Sequence, residues 1–196
     1  MSRYSRPIDL TIRHDWSQTK TIMQRLLSLR DRVQPIGYGD ADHYELKGLG
    51  TISRHRASQS WYRFSGAAIA ATMPWLPTML AIMKELGPDD GCVSLLQNDA
   101  AGHVDLPHLR TALNYVFYSD DAQAHTWVGE EHDRETYDSQ VGTAWLLDTQ
   151  VPHGITNKGE RWTLSIHFSS GYDQVAEWFS ARPGLEFGRH NHEEKR

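Results

Sequence analysis

The stretch RWTLSIHF, residues 161–168, decides the fold because its polar and apolar side chains alternate without interruption. The residues of one face are polar: Arg161, Thr163, Ser165 and His167. The residues of the other face are apolar: Trp162, Leu164, Ile166 and Phe168. A period of two is that of a β-strand, in which successive side chains point to opposite faces. A strand with an arginine on its polar face and a fully apolar opposite face suits a barrel that surrounds a polar pocket.

Similar short runs occupy the preceding part of the chain from about Gly91. They are CVSLLQ (92–97), RTALNYVFY (110–118), HTWVG (125–129) and TAWLLD (143–148), separated by turn residues. Many short strands at such spacing are typical of an antiparallel sandwich or barrel. We therefore predict a mainly β protein with flanking helices, in which a jelly-roll barrel follows an N-terminal helical region.

The N-terminal part of the chain contains two helical patterns. Apolar residues recur at helical intervals in 17–33, where Asp15 or Ser17 can cap the helix, and residues 73–91 form a second pattern closed by Gly87. We predict a single domain over 1–196. Its parts are a helical and mixed support region at 1–90, a β core at 91–170, and a C-terminal helix with a charged tail at 171–196.

Composition restricts the class of protein. The 196 residues include 39% hydrophobic residues and carry a formal net charge of −5, which favours a globular protein and gives no basic footprint for nucleic acid. There is no apolar run of membrane-spanning length and no secretory signal pattern. The single Cys92 suits a reducing compartment, so we expect a cytoplasmic protein. Nothing in the sequence indicates an oligomeric state.

Candidate metal ligands stand in GHVDLPHL, residues 102–109. On a strand, His103 and Asp105 would point to the same side, whereas His108 would fall on the opposite face and is assigned to the rim. A third ligand must come from a distant strand, and VPHGITN offers His153. Two histidines and one carboxylate leave three coordination positions open, which is the arrangement of non-haem Fe(II) oxygenases.

An arginine on the inward face of the last strand follows the three candidate metal ligands in the sequence. Arg161 lies eight residues after His153, with the turn NKGE between them, so their strands can be hairpin neighbours. A buried guanidinium needs an anionic partner, and the far end of a dicarboxylate would bind it bidentately. Thr163, on the same face, can donate a further hydrogen bond.

The segments HVD (103–105), HVDLPHLRTALNYVFY and VPHGITNKGERWTLSIHF (151–168) resemble the Fe(II)/2-oxoglutarate-dependent dioxygenases, which fold as a double-stranded β-helix. The similarity is to the branch of aspartyl/asparaginyl β-hydroxylases and free-proline hydroxylases, and it covers about residues 91–168. It implies iron ligands at His103, Asp105 and His153, and Arg161 at the distal carboxylate of 2-oxoglutarate. It also implies use of O2, formation of succinate and CO2, and hydroxylation of an unactivated C–H bond. The substrate would be an amino acid, an amino-acid-like metabolite or a peptide side chain.

Four other residues are open to more than one interpretation. Arg110 matches an arginine near the site in the family; it could support Asp105 or recognise a substrate carboxylate. Asn114 could bind substrate or cosubstrate, or satisfy nearby backbone. Trp127 lies in a long insertion of the kind that forms lids, so we predict substrate contact. His167 is interpreted as a hydrogen-bonded core histidine rather than a functional one.

Two other functions compete with this one. A cupin-type metalloenzyme, an isomerase or a cosubstrate-free dioxygenase, could use the same His/Asp/His site, since Gly142, His153 and Asn157 have the spacing of the second cupin motif. Such an enzyme has no reason to keep Arg161 and Thr163 inward. A non-catalytic barrel would instead bind no metal.

Overall fold

The computed structural model describes residues 3–38, 41–55, 61–138 and 140–188. The predicted charged tail lies almost entirely outside these ranges. The helices within them are α1 (Trp16–Leu29), α2 (Ala67–Thr72), α3 (Leu76–Ile82) and α4 (Tyr172–Ser180). None of the helices in the described ranges is both long enough and apolar enough to cross a bilayer.

The strands follow one another in short segments. The first six are β1 (Ser5–Ile8), β2 (Leu10–Ile12), β3 (Pro35–Tyr38), β4 (Ala41–Leu46), β5 (Gly50–His55) and β6 (Tyr62–Ser65). The next five are β7 (Cys92–Leu96), β8 (Ala100–His103), β9 (Thr111–Ser119), β10 (His125–Val128) and β11 (Glu135–Asp138). The last four are β12 (Ala144–Asp148), β13 (His153–Thr156), β14 (Arg161–Phe168) and β15 (Leu185–Phe187). The prediction of a mainly β protein is confirmed.

Two antiparallel sheets carry the structure. The larger has the strand order β1-β12-β9-β14-β7-β6-β5-β4-β3, and the smaller has the order β11-β10-β13-β8. From β7 to β14 the chain passes repeatedly from one sheet to the other, with β7, β9, β12 and β14 in the larger sheet and the remainder in the smaller. Consequently β13 and β14 lie in different sheets, so they do not form the hairpin that the spacing of His153 and Arg161 allows. The turn between them carries the chain from the smaller sheet to the larger.

The N-terminal region is mixed rather than mainly helical, because it contains strands β3 to β6 as well as helices α1 to α3. Strands β3 to β6 extend the larger sheet beyond β7. The two predicted helices are present: α1 is capped by Asp15, which accepts a hydrogen bond from the backbone N–H of Gln18, and α3 leads through a 3-10 turn to Gly87. Gly87 has φ +62°, a left-handed conformation that glycine adopts without steric cost.

The apolar face of β14 lies in the main core. Trp162 is fully buried, and its ring stacks with that of Phe64 of β6 at a centroid distance of 5.9 Å. Helices α1, α3 and α4 contribute apolar side chains to the same cluster. Because β14 alternates strictly, burial of this face turns its polar face toward the space between the two sheets.

Candidate metal and dicarboxylate site

A cavity of about 120 Å³ lies between the inner faces of the two sheets. This volume is several times the roughly 10–15 Å³ that one water molecule requires. The polar face of β14 lines one wall of the cavity. Residues of β8, β10 and β13 line the opposite wall.

The three predicted metal ligands meet at this cavity. His103 ends β8 and pairs in register with His153 at the start of β13, while Asp105 follows in the loop. The donor atoms of the three residues lie within 4.8 Å of one another. Oδ1 of Asp105 is 3.6 Å from Nε2 of His103 and 4.0 Å from Nε2 of His153. Two neighbouring ligand atoms on a metal with bonds near 2.1 Å are about 3 Å apart. Small rotations of the three side chains would therefore bring their donor atoms to the separations that one metal ion requires.

Backbone carbonyls fix the tautomers of both histidines. Nδ1 of His103 lies 3.0 Å from the carbonyl oxygen of Ala101, and Nδ1 of His153 lies 3.0 Å from that of Val151. A carbonyl can only accept, so each Nδ1 carries the proton and donates it. The lone pair of each imidazole is therefore on Nε2, the atom that faces Asp105.

The electrostatics favour the forms that bind a cation. Burial lowers the pKa of His153, and the nearby His103 lowers it further, so the neutral imidazole is favoured. Burial raises the pKa of Asp105, but its hydrogen bond with His167 and its electrostatic interactions with the neighbouring histidines outweigh this effect, and the net pKa is lowered. Metal ligation requires both a neutral imidazole and an ionised carboxylate.

His167 links Asp105 to the carboxylate of Asp89. Its Nε2 is 3.4 Å from Oδ2 of Asp105, and its Nδ1 is 3.4 Å from Oδ2 of Asp89. The backbone N–H of His167 also donates to Oδ1 of Asp89 at 3.0 Å. Burial lowers the pKa of His167, but its two carboxylate partners raise it more. His167 is thus hydrogen-bonded, as predicted, and it also occupies one oxygen of Asp105 while the other faces His103 and His153.

Replacing Asp89 by asparagine is expected to weaken metal binding about 10- to 100-fold, the usual effect of changing a group that orients a ligand. The change removes the negative charge that favours protonated His167, and so loosens the hold of His167 on Asp105. Titration of Co(II) into the folded protein measures the affinity. Asp31→Asn, an exposed carboxylate on the 3-10 turn after α1, is the control. Equal Co(II) affinity in Asp89→Asn and the parent would contradict this role.

Arg161 is buried on the inner face, and no carboxylate among the described residues forms an ion pair with it. It is 3% exposed, and one Nη donates to Oγ1 of Thr126 at 3.5 Å. Its Nε and other Nη have no hydrogen-bond partner among the described residues. Burial lowers its pKa. Tyr137 cannot neutralise it, because burial raises the pKa of that phenol to about 12 and keeps it uncharged. A buried guanidinium with free donors is costly unless an anion binds it.

Small polar side chains continue along the same wall. Thr163, two residues after Arg161, lines the cavity opposite Ser94 in the register of β14 and β7. Asn114 of β9 also lines it, and its Oδ1 accepts a hydrogen bond of 2.7 Å from Oγ of Ser165. The structure therefore places Thr163 and Asn114 where each can contact a bound molecule.

Arg110, for which support of Asp105 and recognition of a substrate carboxylate were both open, does not line this cavity. It is exposed and lies beside Gly171 in a separate polar cleft, far enough from Asp105 that no ion pair forms between them in the described part of the chain. Strand β9 begins only at Thr111, so the alternation that turns Ala112 and Asn114 inward does not extend to Arg110. His108 is also exposed and outside the cavity.

Trp127 lies on the outer face of the smaller sheet, away from this cavity, and its contact with a substrate stays a prediction. The insertion that contains it forms β10 and β11 rather than a lid. Thr126 points into the cavity, and alternation turns its neighbour Trp127 away. The indole instead contacts Gly102 and Gly154.

Two cavity residues, one just before β6 and one within it, were not predicted from the sequence. Trp61 precedes this strand and Arg63 lies within it, and both line the cavity. Arg63 is held by Asp89, with Nη2 3.5 Å from Oδ2. The alternation of Tyr62 and Phe64 with these residues is the signal that could have revealed the strand and its inward face.

No protein-family model and no curated protein matches the sequence. Among solved structures, the chain is similar to hydroxypropylphosphonic acid epoxidase from S. wedmorenis, with 12% identity and a TM-score of 0.34. The match covers 71% of this chain and 56% of the epoxidase, so the chain spans just over half the length of that protein.

Two other structures cover more of the chain. A 2OG-Fe(II) oxygenase family oxidoreductase from Burkholderia pseudomallei has 9% identity and a TM-score of 0.44, covering 76% of this chain and 80% of its own. The non-haem alpha-ketoglutarate-dependent epimerase SnoN, from nogalamycin biosynthesis, has 14% identity and a TM-score of 0.45, covering 80% and 74%.

Proposed function

We propose that the chain is an Fe(II)- and 2-oxoglutarate-dependent oxygenase. The observation that carries the proposal is Arg161, a buried and unpaired guanidinium on the wall of the cavity that also holds the His103, Asp105 and His153 set. A dianion with a metal-binding group at one end and a carboxylate at the other would satisfy both features together. 2-Oxoglutarate has this chemistry.

The strand order supports a double-stranded β-helix as the core of this enzyme. The central strands of the larger sheet run β12-β9-β14-β7, and the smaller sheet runs β11-β10-β13-β8. Successive strands from β7 to β14 alternate between the sheets except at the β10–β11 hairpin, as in a jelly roll. This arrangement places β14, with Arg161, opposite β8 and β13, with the two histidines.

The donor set fits Fe(II), and Arg161 and Thr163 fit the distal carboxylate of 2-oxoglutarate. When bound, the iron and cosubstrate would supply O2 activation, with conversion of 2-oxoglutarate to succinate and CO2. The guanidinium would form charge-assisted hydrogen bonds that are strong because the residue is almost free of water. His167 keeps one oxygen of Asp105 engaged, which leaves the other to bind the metal. His103, whose side chain is 47% exposed, places the metal at the open side of the cavity, where a substrate can approach.

We further propose that the reaction is hydroxylation of a C–H bond in an amino acid, an amino-acid-like metabolite or a peptide side chain. The resemblance of residues 103–118 and 151–168 to the aspartyl/asparaginyl and proline hydroxylase branch supports this substrate class. Because Arg110 lies in a separate cleft, it is not placed to recognise a substrate carboxylate inside this cavity. Succinate formation across a panel of amino acids and peptides would identify the substrate.

Binding of three related acids tests the cosubstrate. We expect Co(II)-loaded protein to bind 2-oxoglutarate at least about 10-fold more tightly than glutarate, which lacks the metal-binding oxo group, or 2-oxobutyrate, which lacks the distal carboxylate. Isothermal titration with each acid measures the three affinities. The cupin-type alternative has no use for a dicarboxylate and predicts no preference. Equal binding of all three acids would therefore contradict the proposal.

A further inference from the structure

Trp127 connects three strands of the smaller sheet on the face away from the cavity. It belongs to β10 and pairs in register with Gly154 of the adjacent β13. Its six-membered ring crosses Gly154 and reaches Gly102 in β8, the next strand of the sheet. Gly154 directly follows His153, and Gly102 directly precedes His103. One indole thus covers the neighbours of both candidate histidine ligands.

Both glycines are required for this contact. A β-carbon at Gly154 would lie 2.5 Å from Cζ2 of Trp127 and 2.8 Å from the carbonyl oxygen of Ala100. A β-carbon at Gly102 would overlap Cη2 of the same ring. The guanidinium of Arg134 lies over the indole, 4.1 Å from the ring centroid, and holds it by a cation–π interaction.

Strand β8 is anchored at both ends, where Asp99 accepts a hydrogen bond from the backbone N–H of Asn157 and the backbone N–H of Asp105 donates to the carbonyl of Thr149, but the strand itself is weakly paired. It is the edge strand of the smaller sheet, its last three residues are exposed, and its pairing with β13 is irregular between His153 and Ile155. A short edge strand with a broken ladder cannot by itself set the position of His103 against His153, whose ring centroids are 4.4 Å apart. Trp127 adds a contact to β8 that does not depend on this ladder.

We propose that Trp127 is a positioning residue that holds the strands of His103 and His153 at the separation needed to bind one metal ion. This inference rests on the proposed metal site. The indole contacts neither the cavity nor the donor atoms, and it acts only through the glycines beside the two histidines. Close packing around a ligand sets its geometry as a hydrogen bond does, and loss of such support weakens metal binding.

The test measures the Co(II) affinity and the visible ligand-field spectrum of the bound Co(II) in the folded protein. We expect Trp127→Ala to raise the dissociation constant about 10- to 100-fold and to change the spectrum, with Trp127→Phe intermediate. Trp75→Ala is the control, because it removes a half-buried tryptophan that directly precedes α3 and packs against the main core. It should lower the melting temperature and leave Co(II) binding unchanged.

A double-mutant cycle isolates the contact between Trp127 and Gly102. The Trp127→Phe background keeps the test possible if Trp127→Ala folds poorly. Gly102→Ala should weaken Co(II) binding when Trp127 is present and have little effect when residue 127 is alanine or phenylalanine. Wild-type affinity and spectrum in Trp127→Ala, or an equal effect of Gly102→Ala in every background, would overturn the inference alone. Failure of the parent protein to bind Co(II) would overturn the metal site, and this inference with it.

Discussion

Replacing Arg161 by alanine is expected to weaken 2-oxoglutarate binding by at least about 100-fold. Hydrogen bonds to charged groups contribute roughly 1.5–3 kcal/mol each, and Arg161 has two unpartnered nitrogens to offer. Titration of 2-oxoglutarate into Co(II)-loaded protein measures the change. Arg110→Ala is the matched control, because it removes an exposed arginine outside the cavity and should leave the affinity as it is.

Arg161 is expected to favour 2-oxoglutarate binding while lowering the stability of the unliganded protein. In the absence of an anion, Arg161 keeps a charge and free donors buried, so Arg161→Met should raise the free energy of unfolding of the unliganded protein by roughly 1–3 kcal/mol. Denaturant unfolding measures this quantity. If Arg161→Met is less stable than the parent and still binds 2-oxoglutarate normally, the arginine is structural and its assignment to the cosubstrate is wrong.

Replacing His153 by alanine is expected to reduce metal affinity by more than about 100-fold. It removes one of three donors, a larger loss than the 10- to 100-fold effect of residues that only orient a ligand. The residue is buried at the first position of β13. Titration with Co(II) or anaerobic Fe(II) gives the dissociation constant.

His108→Ala provides the comparison for this experiment. His108 stands five residues from His103 but is exposed and does not line the cavity, so its loss should not affect metal binding. Equal losses in His108→Ala and His153→Ala would point to nonspecific binding by surface histidines. Unchanged affinity in His153→Ala would remove that residue from the ligand set.

The sequence predicted the parts of this structure that carry strong local periodicity. Strand β14 alternates over eight residues, and that alone indicated which of its side chains face inward, including Arg161 and Thr163. The spacing of His103 and Asp105, with a distant His153, indicated a metal set, and the structure brings these three residues together.

Other parts could not be predicted because their local signals were weak or misleading. The turn-rich stretch 34–55 indicates only short strands at its ends, and the growth of the larger sheet through β3 to β6 depends on the pairing of β6 with β7, which local pattern does not show. The length of the insertion around Trp127 favours a binding segment, whereas the alternation of Trp127 with Thr126 along β10 determines the face that it occupies. The link from Asp105 through His167 to Asp89 joins residues far apart in the chain, and only the tertiary structure reveals it.

The central claim is that one cavity binds Fe(II) and 2-oxoglutarate together. Anaerobic addition of both to the folded protein, followed by visible absorption spectroscopy, tests it most directly. We predict a weak metal-to-ligand charge-transfer band that is absent when Zn(II) replaces Fe(II) and is lost in Arg161→Ala at the same 2-oxoglutarate concentration. A folded, iron-loaded parent protein that shows no band at saturating 2-oxoglutarate would contradict the claim.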